Sequence, residues 1–326
     1  MPDKRSYSAR QLRLCALLAC FGVLASAAFL LLGITPVLPS QRSWLELWNV
    51  GHLLLFFFIA LSSCALSATL LKNFRLVPLF AIVGIAALLV GGALEYLQGF
   101  FGREPSLQDV ALNVIGALVG CCTFVLIMRN YFSDRITAVP LRMLVAVLGI
   151  LTCAAALALM PLWKAIADER LAARQFPILA AYNSRLELGR HSANIATQFQ
   201  KGKLLAHFRS RGYSHVNWKH LRRDWSGYRE LAIELDNLSA HALVITCRVH
   251  DRKHEDNYQF TDRFNRSFTL HAGRQTLLID LDTVRTAPQK RAMDMADIAG
   301  LICFTSGQTE SRSVAFEQIR LQAPRQ

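Results

Sequence analysis

No pair of the eight cysteines has the spacing of a zinc motif, and no serine sits in the elbow-like context of a hydrolase nucleophile. A sequence-coded zinc finger and a Ser-His-Asp catalyst are therefore excluded. Residues 164–326 lack any apolar run of about 20 residues, the length that crosses ~30 Å of hydrocarbon. Acidic residues are also scarce, 23 Asp and Glu against 36 Lys and Arg. What the chain has in plenty is hydrophobic side chains, 53% of the total, and they are concentrated in residues 1–163.

Five apolar runs predict five membrane spans: Leu14–Ile34, Val50–Leu71, Val77–Leu97, Val110–Met128 and Leu141–Trp163. The first is too long for a signal-peptide core and lacks a small-residue cleavage site, so it reads as a retained anchor. With the N-terminus in the cytoplasm, nine basic residues fall on the inner side: Lys4, Arg5, Arg10, Arg13, Lys72, Arg75, Arg129, Arg135 and Arg142. Only two, Arg42 and Arg103, fall on the other. The positive-inside bias then places the chain in a bacterial inner membrane, with its second half in the periplasm or an equivalent space. Residues 164–326 carry 25 basic and 17 acidic side chains, a net +8. Part of the +13 total is thus the topology signal, and the charge does not call for nucleic acid. Cys15, Cys20, Cys64, Cys121, Cys122 and Cys153 lie in apolar runs, where thiols act as small hydrophobes. Cys247 and Cys303 lie outside, where a disulfide is permitted and two buried thiols are the alternative.

Ionisable side chains at membrane depth are costly and persist where they pair or work. His52 opens the second run, Glu95 and Gln98 close the third one turn apart, and Arg103 follows in a short loop. Asp109 opens the fourth run, and Asn113, Gly116 and Gly120 continue its stripe, a small-xxx-small pattern that lets helices approach. On the predicted topology all of these polar residues share the outer leaflet. Three roles fit the set. It is a hydrogen-bond network locking the bundle, a pocket for a lipid headgroup or lipid-linked glycan with Arg103 clamping phosphate, or a catalytic site. In the last role His52 and Glu95 move protons, with Glu95 or Asp109 holding the histidine tautomer. One histidine and two carboxylates have no spacing that demands an ion, so no metal and no cofactor are expected. Asp109 also stands where a helix N-cap or dipole partner is favoured.

The series His52, Glu95-x-x-Gln98, Arg103, Asp109-x-x-x-Asn113-x-x-Gly116-x-x-x-Gly120 resembles the VanZ-like family over about residues 15–130. The resemblance implies a membrane protein of a family linked to glycopeptide resistance, of poorly defined biochemistry. The extra span and the second half depart from a minimal member, so resistance itself does not carry over.

The second half divides into a linker over 164–191, with a helix near Lys164–Arg174, and an all-β domain over 192–326. Seven alternating runs predict an antiparallel sandwich: Lys203–Arg209, Arg229–Leu235, Ala242–His250, Ser267–His271, Gln275–Leu281, Leu301–Thr305 and Val314–Leu321. The unit Asp224-Trp225-Ser226-Gly227-Tyr228-Arg229-Glu230-Leu231 loosely resembles the jelly-roll sandwiches of galactose-binding-like and carbohydrate-binding modules. Trp218, Trp225 and Tyr228 are candidate sugar-stacking aromatics, with core plugging as the alternative. The most polar loop offers His250, Asp251, His254, Asp262 and Arg263 as ligand-binding candidates, and Arg252, Lys253 and Arg263 favour internal ion pairing over a cation site.

The expected molecule is a five-helix membrane bundle followed by an extracytoplasmic jelly-roll-like sandwich. Binding of a lipid headgroup or lipid-linked glycan, with a saccharide at the outer domain, is the leading expectation. An enzyme acting on a lipid-linked precursor and a scaffold docking an envelope protein are the alternatives.

Overall fold

The computed structural model describes residues 17, 20–23, 41–70, 76–99, 106–128 and 141–323. The chain divides into two compact units at Trp163/Lys164.

The first unit contains α1 (Arg42–Leu70), α2 (Leu76–Gly99), α3 (Leu107–Met128) and α4 (Leu141–Ala158). All four are long and apolar enough to cross a membrane. The expected span Leu14–Ile34 lies outside the described residues apart from Leu17 and 20–23, so four spans, not five, are described. The expected span Leu141–Trp163 is also shorter than predicted. It ends at Ala158, and α5 (Met160–Gln175) follows. Pro161 has no N–H for the carbonyl four residues back and is suited to a first turn, so it starts a helix more readily than it continues one.

The most extensive helix contact in this unit joins α1 to α3, and the small residues explain it. A Cβ on Gly116 would stand 2.3 Å from the Leu53 carbonyl oxygen, and one on Gly120 would stand 2.4 Å from that of Phe57. Backbones approach this closely only across glycine. Phe56, Ala60, Cys64, Ala117, Cys121 and Phe124 fill the seam. Cys64 and Cys121 meet there with sulfurs 3.4 Å apart.

The second unit is two antiparallel sheets on one core. The first sheet contains β1 (Ile178–Ala180), β3 (Thr197–Gln200), β4 (Lys203–Phe208), β6 (Glu230–Asn237), β9 (Gly273–Asp280) and β11 (Arg312–Gln322). Its order is β3-β4-β11-β6-β9, with β1 on β11. The second sheet contains β2 (His191–Ala193), β5 (Tyr213–Trp218), β7 (Leu243–Asp251), β8 (Phe264–Leu270) and β10 (Ile298–Ser306), ordered β2-β5-β10-β7-β8. All seven expected strands are present, with shifted ends, among eleven described. Part of the expected linker is strand as well, since β1 and the start of β2 fall within it.

Inward positions alternate as a pleated strand requires: Leu204, Phe208, Leu231, Ile233, Phe316 and Ile279 from one sheet, Val216, Ile245, Val249 and Leu301 from the other. Cys247 and Cys303 face one another across β7 and β10 as thiols with sulfurs 3.2 Å apart, and burial pushes the Cys303 thiol up.

A polar knot fixes α5 and the entry to the sandwich. Arg190 is fully buried, and its Nε donates to both carboxylate oxygens of Asp168 on α5, at 2.9 and 3.1 Å. Its Nη1 donates to the Leu179 carbonyl at 2.7 Å. Glu187, also fully buried, accepts the backbone N–H groups of Ala181, Tyr182, Asn183 and Ser184 at 2.7–3.2 Å.

Candidate functional site

Two polar assemblies stand out, one in each unit. In the membrane-type unit, His52 from α1, Glu95 from α2 and Asp109 and Asn113 from α3 converge. All are buried, at 2%, 3%, 8% and 0% exposure. His52 Nδ1 donates to Asn113 Oδ1 at 3.2 Å. The tautomer is therefore held by an amide, not by Glu95 or Asp109 as the sequence suggests, and Nε2 is left as the lone pair. Glu95 Oε2 accepts the Ser106 N–H at 2.9 Å. Ser106, not Asp109, takes the capping position, accepting the Asp109 N–H on its hydroxyl at 3.3 Å. One potential ligand atom from each of His52, Glu95 and Asp109 lies within 4.8 Å of the others. The spacing that hides any metal constellation in the sequence is thus closed by three helices meeting at one point. Gln98 falls on the last turn of α2, its side chain among those not described, and Arg103 lies outside the described residues.

In the sandwich, Trp218 and Trp225 are 0% and 1% exposed. Trp218 donates its indole N–H to the Tyr182 hydroxyl at 2.6 Å and packs edge-on against Phe316. Trp225 donates to the Arg222 carbonyl at 2.7 Å. Tyr228 packs against the core and meets Phe176 edge-on at 5.4 Å. Trp218 and Trp225 therefore present no free face to a sugar, and Tyr228 is half-buried. The physical reason is parity, because on β5 the even positions, Trp218 among them, point into the core and the odd ones point out.

The outward residues of the second sheet form the surface that the sequence reading missed. Tyr213, His215 and Asn217 on β5, Ile302 and Phe304 on β10, Thr246 and Arg248 on β7 and Asn265 on β8 lie in register. Tyr213 stacks at a tilt on His215 and Phe304, with centroids 5.3 and 5.2 Å apart. Among the described residues, Asn217 Oδ1, Asn265 Oδ1, the Nε of Arg248 and of Arg263, and the Nδ1 of His215 and of His250 have no hydrogen-bond partner. A cavity of about 210 Å³ adjoins this edge, lined in part by Phe260, Arg263, Asn265 and Gln289.

The loop over 251–262 closes one end of the surface, and two of its acids, Asp251 and Asp262, are already engaged. Arg291, far along the chain, forks Asp251 through both terminal nitrogens, with Nη2 at 2.7 Å, and reaches Asp262 through Nε at 2.7 Å and Nη2 at 2.8 Å. Asp251 also accepts the N–H groups of Asp294 at 2.8 Å and His254 at 3.2 Å. The expected ligand candidates Asp251 and Asp262 are therefore structural pins. Their partner is Arg291, not the nearby Arg252, Lys253 or Arg263. His254 accepts from Arg248 Nη2 on Nε2 at 2.8 Å, and His250 lies over Gly300, where a Cβ would meet its ring at 2.6 Å.

Burial, followed by the charge of Arg248 and the neighbouring His254, pushes His250 down to about 3. His254 and His215 are lowered for the same leading reason, so these rings are neutral hydrogen-bonding groups near pH 7. Burial and then the nearby Arg263 charge bring Arg248 down to about 10, still a cation at neutral pH. The face therefore pairs aromatic surface with two like-charged guanidinium groups and neutral donors and acceptors.

Burial pushes the Asp251 carboxyl up, but the Arg291 fork and the backbone donors outweigh it and hold it below the usual range, and the Arg291 bonds lower Asp262. A lowered carboxylate contributes stability above its unfolded value near 3.9, and that contribution is lost as pH falls through the folded value. Wild-type protein is therefore expected to lose sandwich stability as the pH drops below about 4, and Asp262→Asn to lose less over that interval. Thermal unfolding followed at pH 7, 5 and 3 checks this. An identical acid loss in the two proteins would remove Asp262 from the pin.

No family model matches the chain, so the VanZ-like resemblance stands on its motif residues alone. No curated protein matches either. Similar solved structures include the agarase AgWH50C, at 15% identity and TM-score 0.38, covering 45% of this chain and 26% of that one. A family 11 carbohydrate-binding module from Clostridium thermocellum, in complex with a β-1,3-1,4-mixed-linked tetrasaccharide, has 14% identity and TM-score 0.36, covering 45% and 94%. A family 29 carbohydrate-binding module has 9% identity and TM-score 0.29, covering 41% and 80%. The chain spans about a quarter of the agarase. At these scores the likeness carries nothing about what this chain binds.

Proposed function

We propose that this is a membrane-anchored saccharide-binding protein of the bacterial envelope, with an anionic saccharide lying across the outer face of the second sheet. The observation that carries the reading is the half-exposed ring of Tyr213, tilted onto His215 and Phe304 and close to the charges of Arg248 and Arg263 on the same sheet face. An aromatic body with a polar rim is what a sugar ring, apolar on one face and polar at its edges, requires. Arg248, close enough to Arg263 for that charge to lower it, and Arg263 itself favour a sugar carrying carboxylate, sulfate or phosphate.

On this reading the four described apolar helices are the anchor. With the expected span over residues 14–34 as a fifth crossing, the nine-to-two distribution of basic residues supports a cytoplasmic N-terminus and a sandwich outside the membrane. A sandwich so placed meets envelope glycans, including lipid-linked ones, at high effective concentration.

The test uses full-length protein in lipid nanodiscs against arrayed acidic and neutral oligosaccharides. Wild type is expected to retain acidic members selectively. Tyr213→Ala, a half-exposed position, is expected to weaken retention about tenfold, the value of an aromatic contact near 1.4 kcal/mol. Arg248→Ala is expected to abolish the preference for acidic over neutral sugars. Absence of retention by wild type, or equal retention by the Tyr213→Ala and Arg248→Ala proteins, would sink the proposal.

A further inference from the structure

The remaining polar assembly lies in the other unit and is independent of the saccharide surface. We infer that His52, Glu95 and Asp109 form a binding site for one divalent transition-metal ion of the zinc class, one ligand coming from each of α1, α2 and α3.

Three features of the geometry support it. The three donor atoms lie within 4.8 Å of one another, a separation that one central ion closes with small side-chain adjustments. The atoms left over are the ones an ion would take. His52 Nε2 and Glu95 Oε1 have no hydrogen-bond partner among the described residues, although both side chains are more than nine-tenths buried. The outer contacts are those that prepare ligands. Asn113 Oδ1 accepts a hydrogen bond from His52 Nδ1 and so leaves the Nε2 lone pair for an ion, and the Ser106 N–H holds the other oxygen of Glu95. A ligating histidine that donates its second nitrogen to an oxygen, and a ligating carboxylate held by a further donor, is the arrangement that orients a metal site.

The donor set chooses the ion. One imidazole with two carboxylates suits zinc, manganese or iron, whereas magnesium and calcium prefer oxygen alone. Two carboxylates this close repel one another in an apolar bundle, and a shared divalent cation converts that repulsion into attraction. Three protein ligands leave a fourth tetrahedral position open for water or an anionic oxygen.

The experiment is zinc binding by full-length protein in detergent, stripped with chelator and dialysed against buffered zinc, with cobalt as the spectroscopic probe. One zinc per chain is expected, together with visible cobalt bands of a low-coordinate nitrogen–oxygen site. His52→Ala and Glu95→Gln are expected to lower affinity at least 100-fold. Asn113→Ala, which touches no ion, is expected to lower it roughly 10–100-fold. Circular dichroism and monodisperse elution separate lost binding from lost folding, and Asp109→Asn, nearly isosteric, serves as a second ligand variant should His52→Ala not fold. Wild type that takes up no zinc overturns the inference. Zinc retained undiminished by folded His52→Ala and Asp109→Asn proteins also overturns it, assigning the metal to exposed histidines.

Discussion

Replacing Arg190 with methionine is expected to destabilise the 164–326 unit by roughly 3–5 kcal/mol, the cost of breaking a buried ion pair from one side. The arginine has 0% side-chain exposure, and its removal leaves Asp168, at 5%, without its guanidinium partner and Glu187, at 0%, without its nearest cation. For a unit of this size the loss corresponds to roughly 6–20 °C in unfolding temperature. Tryptophan fluorescence reads it directly, because Trp218 and Trp225 are both in the sandwich core. The double variant Arg190→Met/Asp168→Leu distinguishes a lost charge pair from a lost shape. It is expected to recover part of the deficit, since apolar replacement of a whole buried pair is often neutral or better. An Arg190→Met protein unfolding within about 2 °C of wild type would show that the unit does not depend on this knot.

Gly116→Val is expected to have the largest effect in the helical unit. The new Cβ would meet the Leu53 carbonyl oxygen at 2.3 Å, and a backbone atom cannot rotate away as a side-chain tip can. Helices α1 and α3 must then separate, which opens the packed seam from Phe56 to Phe124. Overpacking of this kind costs about 1–3 kcal/mol where the core can shift, and more where backbone is the obstacle. The fraction of detergent-solubilised protein still monodisperse after heating is expected to fall sharply. Gly149→Val is the control, because nothing lies within 4 Å of a Cβ there. Equal survival of the two variants would show that the glycine stripe is not a packing constraint.

These two positions differ in how far they could be read in advance. Gly116 and Gly120 sit four apart in an apolar run beside Asn113, so the sequence itself announces a close helix approach. Arg190 gives no such sign, since nothing local marks it as buried or names Asp168 as its partner. The same contrast runs through the sandwich. Strands β6 and β7 are runs of alternating aliphatics and were legible, whereas β5, Tyr-Ser-His-Val-Asn-Trp, carries too little apolar alternation to be recognised. Missing β5 hid the outward row Tyr213, His215 and Asn217, and drew attention to Trp218, its inward neighbour. Similarly, the loop from His250 to Asp262 resembles a ligand site in the sequence because Arg291, the counter-charge of Asp251 and Asp262, comes much later in the chain.

By itself the sequence determined the division into an apolar helical half and a charged β half, because hydrocarbon length and pleat period are properties of consecutive residues. It also identified His52, Glu95, Asp109 and Asn113 as out of place in apolar surroundings, since the cost of a polar group there is independent of its partners. Only the tertiary structure decided which atoms of those residues meet, which face of β5 looks outward and which carboxylates are already neutralised by arginine. Those outcomes depend on contacts between segments distant along the chain, and they are set by packing and strand pairing.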